Sequence, residues 1–310
     1  MSGFAGRRAR RLSAAFFAMI ISAAPACLYA ENLYGNEFLK LPSDAAGTAQ
    51  GGSLSAGGQT ANCIVRNPAL PLYKKNAVIS FSHLEWFSSV RYENIGIVLP
   101  IKNKYAMGLH FSSLHMPELV EKDIYGARTG RTFKFSDSRL ILSGSGRILD
   151  NLGLGINLKN IAETIHDYSS STLSWDAGVY YAPDRRLNFG ASLENISGGT
   201  RLKDTELGLP LIIKFGGMGK LMNDALNISF TGTPEELKWF YYGAGVEYNF
   251  YNISFRAGLD GRIIKERAGS GITCGFGLRF GKITLDYAFV PYYALGQAHL
   301  LTLSFDYKAN

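Results

Sequence analysis

The sequence predicts an all-β protein: a transmembrane antiparallel β-barrel of about 14 strands with an N-terminal hatch segment in its lumen. Three observations predict it. Segments that alternate apolar and polar residues recur from Ala77 to the end of the chain. After the N-terminus no segment has the ~18 unbroken apolar residues of a spanning helix. The connections alternate between tight turns and longer loops, which a barrel with short turns on one side requires and a soluble sandwich does not.

The stretch "GITCGFGLRFGKITLDYAF", Gly271 to Phe289, shows the alternation most plainly. Ile272, Cys274, Phe276, Leu278 and Phe280 fall on one face, and Thr273, Gly275, Gly277 and Arg279 on the other. Period two means a strand with one apolar and one polar face. Charged residues are only 18% of the chain, mean hydropathy is +0.01, and Gly (35), Tyr (17) and Phe (19) are frequent. Many short strands joined by tight turns suit that mixture.

In chain order, residues 1–30 read as a signal peptide. Arg7, Arg8, Arg10 and Arg11 precede an apolar run from Leu12 to about Ala24, then small residues at Ala26 and Ala30. The run is too short for an anchor. Cleavage after Ala30 would take the net charge from +7 to +3, because the leader carries four arginines and no acid. The basic balance therefore reflects targeting and does not point to nucleic acid. Cys27 fails as a lipidation site because Ala24 stands where a lipobox wants Leu. Cys63 and Cys274 then remain, which is neither a disulfide framework nor a metal spacing.

Residues 31–75 do not alternate. They are rich in Ala, Gly and Ser and read as a hatch or plug for a wide barrel. In "SDAAGTA", Ser43 or Asp44 can cap a short helix. Pro42, Pro68 and Pro71 fix turns, and Asn67 can bond to backbone two residues on while Pro68 holds it extended.

Residues 76–310 form the barrel. Its fourteen segments run Ala77–Phe87, Ser89–Pro100, Lys104–Leu114, Phe133–Ile148, Leu152–Ile165, Thr172–Ala182 and Leu187–Ile196. They continue Leu209–Lys220, Ala225–Phe230, Trp239–Phe250, Asn252–Ile264, Ser270–Phe280, Lys282–Val290 and Ala298–Lys308. Longer loops fall near residues 114–132, 165–171, 197–208, 231–238, 265–269 and 291–297, so both termini lie on the short-turn side.

Lipid is the partner of the apolar face, because a closed barrel satisfies its backbone between strands and leaves no edge. A charge at mid-depth on that face would cost about 2–4 kcal/mol for Lys or Arg. His110, Lys159, Asp176, Glu194, Glu247, Arg256, Asp260, Arg279 and Asp286 are therefore the lumen-facing polar candidates. Inward glycines, among them Gly153, Gly155, Gly178, Gly243, Gly258 and Gly275, leave room inside.

"FLKLPSDA", Gly51-Gly52 and Asn67-Pro68-Ala69 at one end, with Asp286-Tyr287-Ala288-Phe289, Leu295-Gly296 and His299 at the other, resemble the PorV/PorQ family of outer-membrane proteins. That family is similar to the FadL-type long-chain fatty-acid transporters, fourteen-stranded barrels with an N-terminal hatch. The resemblance implies that Pro42, Asp44, Asn67, Pro68 and Ala69 belong to the hatch. It implies either binding or transport of hydrophobic small molecules across the cell outer membrane, or a non-enzymatic part in type IX secretion as a cargo-binding barrel. Two departures stand out. Ala46 replaces the Arg usual after the Asp-Ala pair, which removes a hatch-to-wall ion pair from that position, and the chain ends "FDYKAN" rather than on an aromatic.

Little else suggests chemistry. The five histidines have no metal-ligand spacing, and His166-Asp167 reads as solvated loop rather than a catalytic pair. "GGMGKL" lacks the spacing of a phosphate loop. Trp86, Trp175, Trp239 and the tyrosines near segment ends suit interfacial girdles. No enzyme activity, cofactor or metal is expected. The expected partners are outer-membrane lipid, a hydrophobic ligand, and secretion-system or secreted proteins.

Overall fold

The computed structural model describes residues 36–307, apart from 59, 197–198, 203–204 and 236–238; the expected leader lies outside them. Fourteen antiparallel strands close into one barrel. The first seven are β1 (Ala77–Glu85), β2 (Arg91–Ile101), β3 (Tyr105–His115), β4 (Phe135–Leu149), β5 (Leu152–Ile165), β6 (Tyr168–Tyr181) and β7 (Leu187–Ile196). The rest are β8 (Ile212–Leu221), β9 (Leu226–Glu235), β10 (Trp239–Phe250), β11 (Ile253–Asp260), β12 (Ile272–Phe280), β13 (Ile283–Tyr292) and β14 (Gly296–Tyr307). Neighbours in sequence are neighbours in the wall, and β14 pairs back onto β1 with Ala77 opposite Tyr307.

The outward face carries Phe81, Met107, Phe111, Leu142, Ile156, Trp175, Phe230 and Phe255, all exposed. A belt of that size around a closed barrel is covered by lipid. The protein lies in an outer membrane. Tyr105, Phe250, Phe280 and Tyr307 stand exposed at the short-turn end, as an interfacial girdle requires.

β5, β7 and β10 have the bounds that alternation predicts. Some other strands run further than expected, and some stop short. The loops expected at 165–171, 231–238 and 291–297 shrink because β6 starts at Tyr168, β9 reaches Glu235 and β14 starts at Gly296. Above the membrane a strand needs no apolar face, so "YSSS" pairs with β5 while reading as loop. The two longest connections hold hairpins, Leu119–Lys122 with Arg128–Phe133 and Gly199–Leu202 with Thr205–Gly208.

The segment predicted as Asn252–Ile264 breaks after Asp260. Its carboxylate accepts from Arg262 N at 2.9 Å and starts a helix, Gly261–Lys265. Asp260 is thus a helix cap at the outer rim rather than a mid-lumen side chain. Arg279 follows the inward parity of Thr273 and Gly277 but sits at the short-turn rim, exposed.

Candidate functional site

Residues 36–75 lie inside the barrel and supply a large share of its buried apolar residues. A 3-10 turn, Glu37–Lys40, places Phe38 and Leu39 in an apolar cluster with Tyr92, Leu114, Leu209, Ile263 and Leu300. Pro42 and Leu41 then border a cavity of about 10 Å³, faced by Leu84, Trp86 and Leu300 of the wall and its first outer loop. That is room for about one water.

Asp44 caps α1 (Ala45–Thr48), its Oδ1 accepting from Gly47 N at 2.8 Å. Its Oδ2 accepts from Thr60 Oγ1 at 2.9 Å and from Arg66, at the end of α2 (Cys63–Arg66). Burial pushes this carboxyl upward, but the Arg66 charge and the hydrogen bonds outweigh it and hold the pKa below 3.8. One residue thus ties both hatch helices together. Burial pushes the Cys63 thiol up, which makes it inert as a nucleophile.

Asn67 is extended, at φ −163° and ψ 118°. Its Oδ1 accepts from Ala69 N at 2.9 Å, and its Nδ2 donates to Ser55 O at 3.2 Å and to Val179 O of the wall at 3.0 Å. Its side chain therefore joins two parts of the hatch and one strand. Ala69 is fully buried.

Wall hydroxyls meet hatch backbone around the ring. Thr302 Oγ1 accepts from Ala45 N at 2.9 Å, Thr273 Oγ1 from Gly51 N at 3.1 Å, and Ser80 Oγ from Ala61 N at 2.8 Å. The inward glycines leave room inside, as expected, and the hatch backbone fills it. A Cβ at Gly155 would lie 2.1 Å from Pro68 O, at Gly190 2.1 Å from Ser55 O, at Gly243 2.2 Å from Gly51 O, and at Gly258 2.2 Å from Gly51 N. These strands have no side chains there because the hatch backbone occupies the space.

The remaining lumen candidates pair within the wall. Arg256 Nε meets Glu247 Oε2 at 2.7 Å, and its Nη1 meets Asp286 Oδ1 at 2.6 Å. Lys159 Nζ meets Asp176 Oδ1 at 2.5 Å and also donates to Asn195. Lys214 Nζ meets Glu194 Oε2 at 3.0 Å. With Ala46 in place of Arg, the hatch carries its own pair, Asp44–Arg66, and the wall carries these. His110 is fully buried, and neither ring nitrogen has a partner.

Sequence reasoning missed Asp137 and Glu163, which stand directly opposite each other on β4 and β5 and are 3% and 6% exposed. Asp137 shares the parity of Arg139 and Ile141, which was the available signal.

No family profile and no curated protein sequence matches the chain. Solved structures do. The Ralstonia pickettii toluene transporter TbuX aligns with TM-score 0.62 and 13% identity, over 85% of this chain and 98% of that one. The Pseudomonas putida toluene transporter TodX gives TM-score 0.57 and 11% identity, over 88% and 97%. A Pseudomonas aeruginosa FadL homologue gives 0.54 and 13%, over 86% and 99%. The fold is that of the FadL-type barrels. At these identities the likeness concerns the fold, and it extends over nearly the full length of each of these structures.

Proposed function

We propose that this chain is an outer-membrane channel for hydrophobic small molecules, closed by a hatch that must shift for passage. The observation that carries this is the outer lumen. An apolar cluster reaches from the loops down to the hatch, and Leu41, Pro42 and Thr48 of the hatch form one side of its cavity. A solute larger than a water can go no deeper without displacing them. Similar folds include toluene transporters and a monoaromatic hydrocarbon channel, which supports a ligand of that class. The hatch residues Asp44, Asn67, Pro68 and Ala69 are the hinge and anchor of this reading, and the buried wall ion pairs keep the barrel rigid while the hatch moves.

Membership of the PorV/PorQ family rests on the sequence motifs at the two ends of the chain. A part in protein secretion has no structural observation behind it, so the transport reading is the one advanced. Expression in cells whose outer membrane excludes hydrocarbons should raise uptake of labelled toluene several-fold. The pair Ala61→Cys and Ser80→Cys, which tethers hatch to wall once oxidised, should abolish the gain until a reductant is added. Uptake equal to that of cells without the protein, or uptake indifferent to the tether, would overturn the proposal.

A further inference from the structure

On the inner face of β2–β5 two facing acids and their neighbours hold buried polar atoms without partners. Along one rung lie Tyr92, Leu114, Asp137 and Glu163; along the next, Asn94, Ser112, Arg139 and Ile161. Asp137 Oδ1, Glu163 Oε2 and Ser112 Oγ have no hydrogen-bond partner, and all three residues are more than nine-tenths buried. Like charges directly opposite each other on paired strands repel. No hydrogen bond joins the two carboxylates, and among the described residues no Lys or Arg lies within ion-pair distance of either. Arg139, the nearest cation along β4, instead gives its guanidinium to the Tyr92 hydroxyl at 2.9 Å. Buried polar groups left this way call for a partner from outside the chain.

The surroundings define that partner. Leu114 and Ile161 flank the acids and belong, with Phe135 and Met116, to the apolar cluster of the outer lumen. Asp137 and Glu163 each lie two residues from the outer end of their strand, just inside the mouth. An alkylammonium group brings three N–H donors and one positive charge, matching the two facing acids and the Ser112 hydroxyl, each with an unpartnered oxygen. We propose that Asp137, Glu163 and Ser112 form a head-group site for hydrophobic amines at the outer mouth of the channel. The inference rests on the transport reading and names a class of substrate for it.

n-Octylamine, n-octanol and octanoate share a chain and differ in the head. Binding would be measured calorimetrically on the full chain in nanodiscs, with empty nanodiscs subtracted. Octylamine should bind at least about tenfold tighter than octanol, which is the worth of one hydrogen bond to a charged group. Asp137→Asn with Glu163→Gln should remove that margin and leave octanol unchanged; Asp137→Asn alone, a milder change, should remove part of it. Heat-shifted gel migration confirms that each variant is folded. Equal affinity for all three probes, or preference for octanoate, would overturn the amine site and leave the transport reading standing. Binding of none of them by the wild-type protein would overturn both.

Discussion

The two sides of the lumen solve the same problem differently. From β8 round to β14 the wall meets the hatch with glycines and hydroxyls, and its buried charges are closed on one another, as in Glu247–Arg256–Asp286. From β2 to β5, Asn94, His110, Ser112, Asp137 and Glu163 are just as buried, yet each keeps a polar atom without a partner. Burial alone therefore does not distinguish structure from site. In the first region the buried acids Glu247 and Asp286 share the Arg256 cation, whereas Asp137 and Glu163 in the second have no ion pair among the described residues.

The largest effect should come from removing what the first region holds. Deleting Leu41–Leu72 should turn a nearly silent barrel into a stable conducting pore in planar bilayers, because a fourteen-stranded lumen is too wide for its wall side chains to fill. Equal conductance with and without the segment would mean that these contacts do not close the channel.

Arginines sharpen the comparison. Arg256→Met strands two buried carboxylates and should cost about 3–5 kcal/mol in urea unfolding of the detergent-solubilised barrel. Arg139→Met removes one hydrogen bond to Tyr92 and should cost about 0.5–1.5 kcal/mol. Equal losses would erase the distinction drawn between the two sides.

A smaller and more local test uses glycine. Gly155→Val drives a side chain into the Pro68 carbonyl and should cost about 1–3 kcal/mol of overpacking strain. Its readout is Cys63, fully buried in the hatch, which should become reactive to a maleimide as the hatch lifts. Gly144→Ala, which meets nothing within 4 Å, is the control and should leave Cys63 protected.

What could be read from the sequence follows the solvent. Where lipid covers one face, it imposes period two on the residues, so the strand count and the bounds of β5, β7 and β10 were legible. Where strands rise above the membrane that constraint ends, and "YSSS" at the start of β6 looked like loop. The helix cap at Asp44 and the backbone bond of Asn67 are local chemistry and could be read from spacing. Which hatch atoms the inward glycines admit could not, since the partners of Gly155, Gly190, Gly243 and Gly258 lie 87 or more residues away. Nor could the facing of Asp137 and Glu163. It depends on the register of β4 against β5, which shifts at a bulge between Arg147 and Leu149.

One contact has a consequence for assembly. Ala45, in the hatch, hydrogen-bonds to Thr302, 257 residues later, and Gly51 reaches Thr273 across 222. Those hydroxyls stand on β12 and β14, among the last strands to be synthesised. The hatch, made before the wall, therefore has no complete docking surface until nearly the whole chain has been synthesised. Its Ala-, Gly- and Ser-rich composition, poor in apolar bulk, suits a segment that must wait in water without aggregating. Joining β1 to β14 and seating the hatch then become one terminal event, and a chain truncated before β14 would lose both together.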